Sequence, residues 1–126
     1  MSTAQWGIYP WFEQHGTARI HPTDLAAFRA VSPSNKIFLT AGIRGAFLVL
    51  TYGRQQFRVA PDLFRPLAIS PFAVDTRVRI KGTMIEGEIA DIIWLAKEQR
   101  EIYFVALSGR RHREPFERAA LDPLSE

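Results

Sequence analysis

Residues 36–60 read KIFLTAGIRGAFLVLTYGRQQFRVA, and this stretch decides the fold class. Its runs 36–41, 46–52 and 55–60 are rich in Phe, Leu, Val and Ile, the side chains that suit a pleated, half-buried strand. The connectors Gly42-Ile43-Arg44-Gly45 and Gly53-Arg54 separate them. A Gly-x pair between two apolar runs is the signature of a tight hairpin. The stretch therefore predicts a three-stranded antiparallel meander. Pro61-Asp62-Leu63-Phe64 follows as a single helical turn.

Upstream, residues 6–9 predict a short strand stopped by Pro10, which has no amide to give to a sheet. Residues 13–17 read as a loop. A helix is expected from near His21, with Pro22 in its first turn, where a missing N–H costs nothing. Asp24 would place negative charge near the positive end of the helix dipole. Leu25, Phe28 and Val31 would form its buried stripe, and Ser32-Pro33-Ser34-Asn35 would end it.

Downstream, residues 68–73 contain Pro71 and no periodic pattern, so they read as a linker. In the next strand Arg77, Arg79 and Lys81 alternate with Val78 and Ile80, giving one basic face and one buried face. Further strands are expected over 87–95, 101–107 and 110–114. Residues 115–121 leave room for one helical turn, and 121–124 would close the sheet. Trp94 is expected in the core of this second set.

The two halves end alike. Residues 47–67 (FLVLTYGRQQFRVAPDLFRPL) and 103–124 (YFVALSGRRHREPFERAALDPL) each run apolar strand, Gly-Arg turn, strand, short helical turn and Pro-Leu. A meander with a one-turn helix before its closing strand is the layout of an SH3-like barrel, a small curled sheet that hides its edges. The expected fold is mainly β with one short α-helix, as tandem small SH3-like barrels or curled antiparallel meanders. The N-terminal meander with the helix would take residues 1–70, and the SH3-like barrel residues 74–126.

Several segments resemble a family of small bacterial proteins of unknown function: WGIYPWF (6–12), IHPTDL (20–25), FRVAPDLF (57–64) and GEIADIIW (87–94). The second half also resembles SH3-like barrels through G-x-I-x-x-I-x-W at 87–94 and Tyr103-Phe104-Val105 before Ser108-Gly109-Arg110. That resemblance implies an interaction module, because such barrels bind peptides, proteins or nucleic acids. It brings no catalytic motif.

Composition narrows the function classes. The chain has 126 residues with 47% hydrophobic and 23% charged side chains, ordinary for a globular protein. This length buries roughly two-thirds of the unfolded surface. There is no cysteine, so disulfides, thiolate zinc sites and cysteine nucleophiles are excluded. The longest apolar runs, 46–50 and 102–107, fall far short of the roughly 20 residues that cross a bilayer. No basic region followed by an apolar run opens the chain, so no signal peptide is read and a cytoplasmic location is expected.

The motif search speaks against catalysis. His15, His21 and His112 are the only histidines. His15 and His21 with Asp24 match no standard zinc spacing, so no metal is expected. No G-x-S-x-G elbow and no Gly-rich phosphate loop before a helix occurs. Glu86, Glu88 and Asp91 cluster around Gly87 and read as an exposed strand face opposite Arg77 and Arg79. No cofactor is implied.

Charge and aromatics nominate the surface. The net charge is +3, and 13 of the 16 basic residues are arginines, whose planar forks suit protein or phosphate contacts. Arg77, Arg79, Lys81, Arg110, Arg111 and Arg113 form the candidate basic face. On a continuous strand, Arg111 and Arg113 would share one side. Tyr9 and Trp11 flank Pro10 and would make interface anchors if exposed; Trp6 and Ile8 would point into the core. For Trp11 and Phe12 the favoured reading is that they plug the seam between the two barrels.

The expected function is non-catalytic binding of a macromolecule. A protein partner is favoured, with a bacterial immunity-type inhibitor of a toxin as one concrete form. The alternative is a nucleic-acid-binding small barrel using the arginine-rich face. Ten acidic residues within 73–126 weigh against the alternative, because they would repel a phosphate backbone. No membrane partner is expected, and the oligomeric state is not legible.

Overall fold

The computed structural model describes residues 4–124. The chain divides into two compact units, Met1–Ile69 and Ser70–Glu126. Each holds one antiparallel sheet.

The first unit contains β1 (Trp6–Ile8), α1 (Leu25–Ala30), β2 (Ile37–Arg44), β3 (Phe47–Tyr52), β4 (Gln55–Val59) and β5 (Arg65–Pro66). The sheet order is β4-β3-β2-β1-β5. The expected meander is present, and Gly53 (φ 62°) makes the β3–β4 turn, with Tyr52 opposite Gln55. The first connector is shorter than expected. β2 continues to Arg44, and a bulge between Thr40 and Ile43 takes up Gly42 at φ 91°, a conformation glycine adopts without steric cost.

Phe28 is the centre of this core. It is fully buried and meets Tyr9, Trp11, Phe38 and Phe57 at ring centroid distances of 5.8, 6.0, 5.8 and 5.1 Å. Edge and tilted geometries of this kind add to the burial of the rings themselves.

The helix is shorter than expected and starts later. Ile20 bridges Val59, and the His21 amide donates to the Arg58 carbonyl at 2.9 Å. Those bonds hold residues 20–21 extended against β4. The His21 ring then accepts the Thr23 amide through Nδ1 at 3.1 Å, so Pro22 sits in a turn ahead of the helix. Asp24 makes no side-chain cap; its carboxylate is turned to Arg58.

Residues 6–9 depart from the expected pattern. Trp6 and Ile8 are half-buried, whereas Gly7 between them is buried. A Cβ at Gly7 would lie 2.4 Å from the Arg65 carbonyl oxygen, so β5 can approach β1 only across a glycine. Phe12 is 47% exposed.

The second unit contains β6 (Arg77–Ile80), β7 (Glu86–Leu95), β8 (Arg100–Leu107), β9 (Arg110–Arg111), β10 (Phe116–Glu117) and β11 (Leu121–Pro123). The order is β10-β8-β7-β6-β11, with β9 also on β8. Val78, Ile89, Ile92, Tyr103 and Val105 are fully buried, and Trp94 is buried as expected. The strand expected over 110–114 breaks after Arg111. Arg111 faces Ala106 and Phe116 faces Tyr103, so four residues, 112–115, stand opposite two on β8. They cannot all keep register: His112 still bonds to Val105 of β8, and residues 113–115 leave the edge. The expectation that Arg111 and Arg113 share one side of a continuous strand fails for the same reason.

Residues 70–73 are not a free linker. Pro71 is buried, the Phe72 amide donates to the Tyr103 hydroxyl at 3.1 Å, and the Arg118 guanidinium lies 4.6 Å above the Phe72 ring.

The repeat is visible in the topology. In each unit the last strand pairs with the first, after a 3₁₀ turn: Pro61–Leu63 before β5, and Arg118–Ala120 before β11. Both second strands carry a bulge, at Thr40/Ile43 and at Ile89/Asp91. The architecture is mainly β with one short helix, as curled antiparallel meanders. The barrel expectation is corrected: neither sheet closes on itself. Among the described residues no helix is long and apolar enough to cross a membrane.

Candidate functional site

The six basic residues nominated by the sequence all lie in the second unit. Their charges are not equally available. β6 pairs with β7 so that Arg77 faces Glu88 and Arg79 faces Glu86. Glu86 takes both guanidinium groups, Arg79 at 2.8 Å and Arg77 at 3.2 Å. The hydrogen bond from Arg79, reinforced by both positive charges, holds the Glu86 carboxyl below its usual range. Lys81 reaches Asp122 of β11 at 3.6 Å. Arg111 stacks 3.9 Å above the Phe104 ring and meets Asp91 at 3.4 Å. Such a cation–π stack fixes the guanidinium in place.

Arg110 and Arg113 differ. Both are exposed, and neither makes an ion pair among the described residues. They flank an open groove of about 510 Å³ formed where residues 113–115 leave the edge of β8, with Leu107 as its apolar wall and Arg111 and Glu114 also in its lining. The bulge has its own supports. The His112 amide donates to the Val105 carbonyl at 2.8 Å. The His112 ring accepts the Glu114 amide at 3.2 Å and packs on Phe116 at 5.5 Å. His112 is thereby occupied in shaping the turn. A smaller hollow of about 260 Å³ adjoins Arg77, Glu86, Glu88 and Ser108.

Tyr9 and Trp11 are corrected as candidates for an exposed pair. Tyr9 is 0% and Trp11 3% exposed. The Tyr9 hydroxyl donates to the Ala60 carbonyl at 2.6 Å, and Trp11 Nε1 donates to the Gly16 carbonyl at 3.0 Å. Each ring therefore has its apolar body in the Phe28 core and its polar atom satisfied. Burial raises the Tyr9 phenol pKa above its ordinary value, and Asp62 adds to the effect.

Chemistry-bearing side chains elsewhere serve backbone geometry. His15 Nδ1 accepts the Phe12 amide at 2.9 Å, and His21 packs on Phe47 at 5.3 Å. Among the described residues, no group of three or more His, Asp and Glu is placed to hold a metal ion. In the first unit a hollow of about 250 Å³ is lined by Asp24, Arg44, Gln56 and Arg58. Its Asp24–Arg58 pair is already closed at 2.9 Å.

One feature escaped the sequence reading. Met84 is 83% and Ile85 49% exposed in the β6–β7 turn. The signal was present as two large apolar residues inside the turn sequence Lys81-Gly82-Thr83-Met84-Ile85.

No curated protein and no solved structure matches the chain. Residues 1–122, which reach into the last strand of the second sheet, match the family of unknown function DUF6960, and the chain belongs to that family.

Proposed function

We propose that the chain is a non-catalytic binding module that recognises an acidic segment of a protein partner through Arg110 and Arg113. One observation carries the reading: among the described residues these two arginines make no ion pair, beside an open groove that Glu114 also lines, while Arg77, Arg79, Lys81 and Arg111 each meet a carboxylate, with Arg77 and Arg79 sharing Glu86. A pair of free guanidinium groups suits a few carboxylates in fixed positions. A nucleic acid would meet the paired acids along with the arginines, which weakens phosphate-driven binding. The strand order and the 3₁₀ turn before each last strand support reading both units as open relatives of SH3-like sheets, which fits a role in recognition. A toxin-capping form of this reading requires a toxin with a carboxylate-bearing surface. A cytoplasmic setting is part of the proposal, since a chain without cysteine gains nothing from an oxidising compartment.

The test is fluorescence anisotropy with labelled polyglutamate and with oligothymidylate of matching charge, at low and moderate salt. Polyglutamate is expected to bind more tightly than oligothymidylate. Arg110→Glu with Arg113→Glu should weaken it by about tenfold or more, with an unchanged melting temperature. Tighter, steeply salt-dependent binding of oligothymidylate would favour the nucleic-acid reading. Binding of polyglutamate that ignores the charge reversal would overturn the assignment to these two residues.

A further inference from the structure

We infer that Met84 and Ile85 form an apolar knob that seats in a hydrophobic hollow of the same partner, beside the carboxylates taken by Arg110 and Arg113. This inference rests on the acidic-segment reading above and adds a second contact to it.

The knob is built rather than loose. The Ile80 amide donates to the Ile85 carbonyl at 2.9 Å, and the Thr83 amide donates to the Ile80 carbonyl at 3.1 Å. The Thr83 hydroxyl donates to the Ile80 carbonyl at 2.7 Å and accepts the Ile85 amide at 3.0 Å. Gly82, at φ 79°, supplies the left-handed corner. Four hydrogen bonds thus close the turn around Thr83 and leave Met84 and Ile85 facing outward. A preorganised apolar contact loses little conformational entropy on binding. Methionine adapts its shape to the pocket that receives it.

Topology places the knob beside the arginines. Ile80 ends β6 and Glu86 starts β7, while Leu107 ends β8 and Arg110 starts β9. The β6–β7 and β8–β9 turns therefore project from the same end of one sheet. In the order β6-β7-β8-β9 they stand two strand spacings apart, roughly 10 Å. A partner that meets both presents an apolar hollow with acidic groups about that far to one side.

The same charges argue for a protein over a lipid surface. Lys81, the cation of the knob turn, is held by Asp122, and Glu86, Glu88 and Glu114 lie at this end of the unit. A flat anionic bilayer would bring its headgroups against those acids, whereas membrane-surface elements concentrate free Lys and Arg. A protein pocket can be shaped around them.

The experiment compares three probes on the full chain: a peptide alternating Glu and Leu, polyglutamate of the same charge, and phosphatidylcholine vesicles containing phosphatidylserine. The Glu-Leu peptide should bind about tenfold more tightly than polyglutamate. In Met84→Ser with Ile85→Ser that advantage should disappear, while polyglutamate binding stays unchanged. Met84→Ser alone, at the more exposed position, should remove part of it without altering the melting temperature. An equal affinity of both peptides for the unaltered chain, or an advantage that survives the double substitution, would overturn the knob and leave the acidic-segment reading standing. Failure of both peptides to bind would overturn the two together. Capture of the chain by the vesicles, lost in the double variant, would reassign the knob to a lipid surface and overturn the inference.

Discussion

Asp24 takes three hydrogen bonds from Arg58: the backbone amide at 2.8 Å, Nε at 2.9 Å and Nη2 at 3.2 Å. Its side chain is only 15% exposed. The Arg58 guanidinium holds the carboxyl below its ordinary value of 3.8. A carboxylate with a lowered folded pKa contributes stability that is fully present above the unfolded value and is lost as pH falls through the folded one. Asp24→Asn should therefore flatten the acid dependence of unfolding below about pH 4. Urea denaturation across that range checks this, and parallel profiles for the two proteins would contradict it. Gly7→Ala tests the close approach of β5. Its Cβ would lie 2.5 Å from the Phe64 ring as well as 2.4 Å from the Arg65 carbonyl oxygen, and relieving that overlap should cost about 1–3 kcal/mol. An unchanged melting temperature would show that β1 and β5 can part without loss. Neither feature was legible in the sequence. Asp24 and Arg58 are 34 positions apart, and a single chain gives no sign of which residues meet across such a span. Asp24 beside a helical pattern therefore read as a dipole partner.

At the scale of elements, α1 is six residues long, too short to hold its own conformation in water. Its stability comes from Phe28, so Phe28→Ala should cost about 3–5 kcal/mol and remove the helical circular dichroism along with the near-ultraviolet signal of the ring cluster. Retention of both would mean that the ring cluster does not anchor the helix. The β2, β3 and β4 strands were legible because apolar runs separated by glycine turns carry local information. The helix start was not, because it is set by a long-range bridge from Ile20 to Val59. The edge of β8 was misread for a related reason. Residues 110–114 look like a strand on their own, but register is a property of two strands, and four residues opposite two cannot be accommodated. That mismatch opens the groove on which the functional reading depends.

At the scale of the whole molecule, the duplicated topology was legible in the shared order of strand, Gly-Arg turn, strand, helical turn and Pro-Leu. The surface was legible only as composition. Counting arginines identified the basic set. Only the folded pairing showed that Glu86, Asp122 and Asp91 engage four members, two of them sharing Glu86, while Arg110 and Arg113 stay exposed with no ion pair among the described residues. Tyr9 and Trp11 looked like surplus aromatics until the Phe28 cluster accounted for them. The central claim is that recognition runs through the two free arginines of the β8–β9 edge. The most direct test is to titrate the isotope-labelled chain with polyglutamate and follow the backbone amide resonances. The account predicts shifts concentrated at residues 107–114 that vanish when Arg110 and Arg113 are both changed to Glu. Shifts centred on other residues, or a pattern unaltered by the charge reversal, would contradict it.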